Sequence, residues 1–422
     1  MIYNIGTDGI IRMDKEEGEK EMYQVRNITD KIVWVGASDR RLALFENIFP
    51  IPRGVSYNSY VLLDEKTVLL DTVDSSVSGQ FFENLEYVLQ GRMLDYLIIN
   101  HMEPDHCAMA GDIVRRYPKV KIVGNVKTFD MMKQFFGMDF SENSIVVKEG
   151  DTLETGEHTL HFVMAPMVHW PEAMVTYDAK DKVLFSADGF GTFGALNGNI
   201  FADEVDFDRD WLDDARRYYT NIVGKYGASV QALLKKAAGL EIGTICPLHG
   251  PIWRRDLGYI MEKYQKWSTY EAEENAIAIL YASMYGNTAS VADALAGALA
   301  ERGAKKIAVY DVSNTHVSEL ISEIFRVSHL VFAVPTYNAG IYPVMENLLS
   351  DMKALAVQKK TVALIENGTW AATAAKQVRE KLAEMKDMEV LDAPVTVKSA
   401  MHADQRPKLE ALADAVMASM KQ

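Results

Sequence analysis

Leu94-Asp95-Tyr96-Leu97-Ile98-Ile99-Asn100 runs without a break into His101-Met102-Glu103-Pro104-Asp105-His106. The first seven residues are mostly apolar and read as a buried strand. The next six carry four potential metal ligands, His101, Glu103, Asp105 and His106. The pattern His-x-Glu-x-Asp-His does not fit one face of a regular helix, and Pro104 predicts a loop at the strand's end, where several side chains can converge on one point. Four ionisable groups crowded behind an apolar strand would suffer repulsion and desolvation without a cation to bind. A metal centre on a sheet-containing domain is therefore the expectation.

Outward from this stretch, short apolar runs continue the strand pattern at 31–37, 60–73 and 120–125. YVLL and TVLLDTV flank a charged turn at Asp64 to Lys66, and VTYDAKDKVLFSADG at 175–189 repeats the device, so hairpins and antiparallel pairing are expected. Helices are predicted at GQFFENLEYVLQG, at VKTFDMMKQFFG and over a long stretch from about Asp208 to Ala238. Three more candidate ligands follow strands: His169 in APMVHWP, Asp188 in LFSADG and His249 in TICPLHGP. Taken singly, a histidine such as His169 or His249 is ordinarily exposed or hydrogen-bonded, and Asp188 before Gly189 is ordinarily a turn residue. With the 101–106 cluster they make seven candidates at strand exits, expected to share one edge of one sheet. His158, His161, His316, His329 and His402 lack such company and are expected to be structural or exposed.

Four histidines and three carboxylates exceed what one tetrahedral zinc takes, and hard oxygen with imidazole suits iron or manganese. With one bridging carboxylate, seven donors give each of two metals four contacts and leave positions open for substrate. HMEPDH, with His169, Asp188 and His249 following His106 at successive intervals of 63, 19 and 61 residues, resembles the metallo-β-lactamase-like domain of flavodiiron proteins, which reduce oxygen or nitric oxide. Most hydrolases of that superfamily carry His-x-His-x-Asp-His, and here Glu103 replaces the second histidine. The resemblance implies an αββα sandwich with two non-haem irons: His101, Glu103 and His169 on one, Asp105, His106 and His249 on the other, and Asp188 bridging.

The text changes after Trp267, at the polar stretch STYEAEENA, and the expected division is a metal domain over 1–270 and a second domain over 271–422. Beyond it five nearly continuous apolar strands alternate with helices, which indicates a doubly wound five-stranded parallel sheet. Ser283-Met284-Tyr285-Gly286-Asn287-Thr288 joins its first strand to its first helix, and hydroxyls with free amides at a helix start can hold a phosphate. The same loop could simply cap the helix through Asn287 or Thr288. Pro335-Thr336-Tyr337-Asn338-Ala339-Gly340 and Asn367-Gly368-Thr369-Trp370 follow the third and fourth strands, and Tyr337 and Trp370 could flank a planar ring. This half resembles a short-chain flavodoxin, which implies FMN with its phosphate on 283–288 and its ring on the other two loops. No G-x-G-x-x-G follows a strand, which disfavours direct NAD binding.

Forty-four basic against fifty-nine acidic residues give a net charge of −15, which disfavours nucleic acid and anionic membranes as partners. No run approaches the ~18 apolar residues of a membrane span, and the start, MIYNIGTDGIIRMDKEEGEKEM, is charged where a signal peptide is apolar, so a cytoplasmic location is expected. Two cysteines, Cys107 and Cys246, are too few for a disulfide framework or an iron–sulfur cluster and are expected to be small buried residues. The acidic segment 203–214 is expected to be a solvated helix start rather than a docking patch. The combined expectation is a flavodiiron oxidoreductase: O2 to water, or NO to N2O, at the diiron site, with electrons passing through FMN. No C-x-x-C pair is present for a fused rubredoxin, so a separate donor of rubredoxin type is expected. The resemblance further implies a head-to-tail homodimer, or a dimer of such dimers, that brings one copy's FMN to the other's irons. The rival readings are a dizinc hydrolase with a flavodoxin-like regulatory domain, which Glu103 argues against, and an electron carrier, which leaves seven metal-type side chains unexplained.

Overall fold

The strand Tyr96–Ile98 pairs in parallel with Thr67–Leu70 on one side and Lys121–Gly124 on the other. The computed structural model describes residues 23–421 and the backbone of 3–5 and 11–13, so most of the charged amino-terminal stretch lies outside the described residues. Around Tyr96–Ile98 the first sheet runs Ser144–Val146, Lys121–Gly124, Tyr96–Ile98, Thr67–Leu70, Tyr60–Leu63, Ile32–Trp34 and Arg26–Asn27. A second sheet runs Thr152–Glu154, Thr159–Met164, Met174–Asp178, Val183–Phe185 and Thr244–Cys246. Both expected hairpins form, with Leu63 opposite Thr67 and Asp178 opposite Val183. Leu97 and Ile122 of the first sheet and Leu160, Val175 and Ile245 of the second lie in one buried core, with Phe81 and Leu85 of the helix Ser78–Leu89 and Ile260 and Tyr264 of Leu257–Ser268. Two stacked sheets covered by helices are the architecture expected of strands apolar on both faces.

Three local expectations are corrected. The seven candidate ligands do not share one sheet: His101 to His106 leave the first sheet, whereas His169, Asp188 and His249 leave the second. Asn100 joins the two edges, its carbonyl accepting from the Met174 amide at 3.0 Å and its side-chain oxygen from Thr176 Oγ1 at 2.7 Å. Pro104 does not hold a loop but starts a single helical turn, Pro104–Cys107. Proline is suited to that first position because its missing N–H would have had no partner there. The helix expected from Asp208 to Ala238 is broken into Phe207–Asp210, Leu212–Tyr218, a wide turn at Tyr219–Val223, a tight one at Gly224–Tyr226, and Gly227–Ala237. Periodicity alone cannot show such breaks, and wide turns of this kind re-aim successive side chains. Here Tyr218 packs 5.4 Å from the His249 ring while Tyr219 packs 5.3 Å from Trp267.

In the second half the parallel strands lie in the order Ile307–Asp311, Glu274–Tyr281, Val327–Tyr337, Lys360–Asn367, with Met388–Val390 and Val395–Val397 both on the last of these. The expected fifth strand is thus two short ones. Strand order reverses beside Glu274–Tyr281, and the crevice at its carboxyl end is where doubly wound sheets bind ligands. The polar stretch between the halves is anchored. The Glu273 side chain is buried, receives Arg216 and Lys263, and accepts from Trp267 Nε1 at 2.7 Å. These cations, outweighing burial, hold its carboxyl down at about 2. Arg217 and Asn221 reach Ser318 at the start of helix Val317–Arg326, which seats one half on the other.

Candidate metal centre and flavin edge

Backbone contacts bring the ligand loop into place before any metal is considered. Asp71, ending the strand TVLL, accepts from the amides of Asn100 at 2.7 Å and His101 at 3.2 Å and from the Asn100 side chain at 2.8 Å. Burial pushes its carboxyl up to about 6, against the pull of the Asn100 hydrogen bonds. Thr72 holds the other end of the loop, its amide and hydroxyl both donating to the His106 carbonyl at 2.7 and 2.8 Å. On the facing side, His249 Nδ1 donates to the Ser56 carbonyl at 2.7 Å. Gly250 has φ +75, and a Cβ there would stand 2.1 Å from Thr192 Cγ2, so the turn after His249 admits only glycine.

The seven side chains then form two groups. In the first, His101 Nε2 and His169 Nε2 lie 3.4 Å apart, each 3.1 Å from Asp188 Oδ2 and 3.2 and 2.9 Å from Glu103 Oε2. In the second, His106 Nε2 and His249 Nε2 are 3.0 Å apart and stand 3.4 and 3.3 Å from Asp105 Oδ2. The other Asp188 oxygen, Oδ1, is 3.2 Å from His106 Nε2 and 3.7 Å from His249 Nε2. Asp188 thus turns one oxygen to each group. Donor atoms about 2.1 Å from a central ion stand roughly 3.4 Å apart at tetrahedral angles, the spacing seen in both groups.

The chemistry of this donor set fits two cations. Both oxygens of Asp105 and of Asp188 are buried and take part in no hydrogen bond. Burial opposes charge on His101, yet Asp188, Glu103 and Glu172 hold its imidazole well above the ordinary histidine value. His169 is pushed up to about 9, where Asp188 and Glu103 outweigh burial. Asp188, though burial works against its ionisation, is held well below the carboxylate range by His101 and His106. A cluster that draws positive charge so strongly onto its rings is a receptacle for metal ions.

Glu172 was not singled out from the sequence. Its Oε1 accepts from His101 Nδ1 and from the Met102 amide, both at 2.8 Å. Tyr218 was also missed. Its phenol is buried without a hydrogen-bond partner, and burial together with the Asp188 charge pushes its ionisation well upward. No periodic signal marks either one, because each acts through a loop or a broken helix. A third group, His158, Asp178 and Asp181, is a hairpin lock: Asp178 already accepts from His158 Nδ1 at 3.0 Å and from the amides of Lys180 and Asp181. Cys107 and Cys246 are buried free thiols, and Cys107 donates to the Met102 carbonyl at 3.0 Å.

In the second half the three expected loops meet at the carboxyl edge of the parallel sheet. The helix Asn287–Glu301 is preceded by Gly286 at φ +89, so neither Asn287 nor Thr288 caps it, and its first amides keep their donors for an outside acceptor. Ser283 Oγ accepts from the Gly286 amide at 3.1 Å and closes the loop. Thr288 and Asn367 are buried props, Asn367 donating to Thr288 Oγ1 and to the Ser399 carbonyl. Pro335 is buried and Thr336 accepts from the amides of Thr373 and Ala374, while Tyr337, Asn338 and Ala339 are exposed and Gly340 half-buried. A Cβ on Gly368 would stand 2.7 Å from the Ala371 carbonyl, which requires glycine before Thr369 and Trp370. Met284, Tyr285, Tyr337 and Trp370 all sit exposed on these loops, Trp370 at 94%. So many uncovered aromatic faces at a ligand crevice suit a flat ring, and the amides of 283–288 suit its phosphate. A fourth loop, at Ser399, bonds Asn367 and Thr369 and was not anticipated.

Known families account for both halves. The ODP family beta lactamase matches residues 55–250 and Flavodoxin matches residues 279–417. A nitric oxide reductase from Moorella thermoacetica is 33% identical over 88% of this chain and 93% of its own. The structure of rubredoxin oxygen:oxidoreductase from Desulfovibrio gigas superposes with a TM-score of 0.88 at 29% identity, over 94% of this chain and 99% of that one. A variant of the flavo di-iron protein from Thermotoga maritima superposes at 0.85 with 26% identity, over 94% and 98%. Two matched halves, a near full-length relative above 30% identity and the same fold throughout place this chain in the flavodiiron family of oxidoreductases.

Proposed function

We propose that this oxidoreductase reduces O2 to water or NO to N2O at a pair of non-haem irons held by His101, Glu103 and His169 on one side and Asp105, His106 and His249 on the other, with Asp188 shared. The observation that carries this reading is the Asp188 carboxylate, buried and without a hydrogen bond, which turns one oxygen to each histidine pair. When bound, the irons and FMN supply the redox chemistry, together storing the four electrons that O2 requires or the two that a pair of NO molecules requires. The protein's part is geometric. Paired donor sets bring two small molecules side by side in place of a chance encounter. The Tyr218 phenol, buried without a hydrogen-bond partner and packed against the His249 ring, would be available as a proton donor beside the pocket. Carboxylates at Glu103 and Asp105 favour higher iron charge.

FMN is assigned to Ser283, Met284, Tyr285, Gly286, Asn287 and Thr288 at its phosphate, and to Pro335 through Gly340 and Asn367 through Trp370 at its ring, with Thr288, Pro335 and Asn367 supporting from beneath. The proposed division is 1–270 for the metal domain and 271–422 for the flavin domain. A rubredoxin-type protein is the proposed donor, by analogy with the relative whose name includes it. A head-to-tail homodimer, alone or paired, is proposed to bring one copy's flavin edge to the other's metal pocket, as the likeness to flavodiiron proteins implies. A fully active monomer in light scattering would sink that arrangement. No helix among the described residues is long and apolar enough to cross a membrane. The two buried free thiols support a cytoplasmic location.

Anaerobic stopped-flow oxidation of the photoreduced, iron-loaded protein by O2 and by NO tests this function, with iron, zinc and flavin measured on the same sample. Two irons and one FMN per chain, with rapid reoxidation and no peroxide, are expected. Zinc in place of iron, or slow reoxidation to peroxide, would return the hydrolase or carrier reading.

A further inference from the structure

The two histidine pairs have unlike outer partners. His101 Nδ1 meets a carboxylate, Glu172 Oε1, at 2.8 Å, with both side chains fully buried. His249 Nδ1 meets a neutral backbone carbonyl, that of Ser56, at 2.7 Å, and His106 Nδ1 is buried with no partner. Glu172 is held rigidly. It accepts from the Met102 amide at 2.8 Å, and its own carbonyl accepts from Asn125 Nδ2 at 2.6 Å. Its second oxygen, Oε2, is buried and unpartnered, so the negative charge is not consumed elsewhere.

A carboxylate behind a ligating imidazole fixes the tautomer with Nδ1–H outward and Nε2 free for the metal, and it makes the ring a stronger donor. In a buried site its charge also acts at short range with little screening. Both effects favour the higher charge state of the ion on the His101 side. No carboxylate is hydrogen-bonded to the His106 or His249 ring: His249 Nδ1 meets a neutral carbonyl, and the nearby Asp71 carboxylate is engaged by the Asn100 and His101 amides.

Resting on the diiron reading above, we propose that Glu172 is a positioning residue that makes the two irons inequivalent, so that the ion held by His101, Glu103 and His169 gives up its electron first. Removal of one electron from the doubly ferrous pair, by a mediator dye of known potential, leaves a ferric ion on the His101 side and a ferrous ion on the other. The dye takes up the electron.

The test is a mediated redox titration of iron-loaded wild type, Glu172→Gln and Glu172→Ala, followed by the electron paramagnetic resonance of the half-oxidised pair, with metal and flavin analysis on each sample. Glutamine keeps an oxygen for His101 Nδ1–H and the Met102 amide but removes the charge. Glu172→Gln is expected to retain two irons and its FMN and to shift the first one-electron equilibrium at least tenfold toward the reduced form, which is about 59 mV for one electron. The gap to the second potential narrows, because the second iron loses less. Glu172→Ala, which also frees the ring, is expected to weaken iron binding about 10- to 100-fold, with glutamine restoring most of it. Unchanged potentials and spectrum in a fully loaded Glu172→Gln, or a larger shift of the second potential than of the first, would overturn the proposal. Wild type that fails to take up two irons refutes the diiron reading itself, and metal analysis shows this before any potential is measured.

Discussion

The metal pocket and the flavin edge solve opposite problems. In the first half, seven polar side chains are buried between two sheets with little access to water, and the loop that carries four of them is held at its ends by Asp71 and Thr72. In the second half, the aromatic side chains of the site loops stand in solvent, with Tyr285 at 92% and Trp370 at 94% exposure. A cluster of carboxylates and imidazoles needs exact spacing and low dielectric to select its ions, so the fold builds it rigidly. A flat aromatic cofactor brings its own large surface, so the fold has only to provide amides for a phosphate and uncovered rings for stacking. The difference teaches where a substitution should be felt: metal loss where one oxygen is moved, and graded weakening where one ring is removed.

The largest effect should come from Asp188, whose two oxygens serve both histidine pairs. Asp188→Ala is expected to lower iron content at both positions and gas-reducing activity by more than the ~100-fold that loss of an outer partner can cost, while FMN content stays at wild-type level. Iron and flavin analysis with anaerobic NO consumption checks this. Equal loss of flavin and iron would break the comparison, because it would mean that the halves do not hold their cofactors independently.

A smaller and graded effect is expected at the flavin edge. Stacking on an exposed aromatic is worth about 1–3 kcal/mol, so Trp370→Ala should weaken FMN binding by about 5- to 150-fold without touching iron. Fluorescence titration of the apo-flavoprotein measures it. An unchanged FMN affinity would assign the ring contact to Tyr285 or Tyr337 instead.

Much of the metal pocket was legible because ligand chemistry clusters in sequence: His101, Glu103, Asp105 and His106 lie within six residues at the end of an apolar strand. The three distant candidate ligands were legible as polar residues at strand exits, but not that they belong to a second sheet, since strand runs carry no label of their layer. The grip of Asp71 and Thr72 on the ligand loop, the Glu172 carboxylate behind His101 and the Tyr218 phenol were invisible, because each depends on where loops and a broken helix return in space. In the second half the regular alternation of strand and helix made the sheet and its carboxyl edge readable. The alternative that Asn287 or Thr288 caps Asn287–Glu301 falls away only in the structure, because a left-handed glycine at 286, not a side chain, precedes the helix.

The smallest effect concerns a buried cation of the second half. Lys360, 3% exposed at the start of Lys360–Asn367, donates only to the carbonyls of Phe325 and Val327, at 3.1 and 2.7 Å. The metal pocket buries anions that can be matched by incoming cations, whereas this ammonium has carbonyl dipoles and no carboxylate in contact. Burial therefore pushes it down to about 7, with Glu273 opposing from a distance. An unfolded lysine keeps its proton up to about 10.4, so between pH 7 and that value the unfolded chain binds more protons than the folded one. Stability contributed by this group consequently rises with pH through that window, by about 5 kcal/mol at most, and is flat below it. Lys360→Met removes the charge but strands two carbonyls, at about 1–3 kcal/mol each, so at neutral pH the two terms are of similar size and oppose each other. The informative quantity is the slope: unfolding free energies from chemical denaturation at pH 7, 8 and 9 should climb in wild type relative to Lys360→Met. A parallel pair of lines would show that the ammonium is already compensated, and the second half would then bury charge on the same terms as the first.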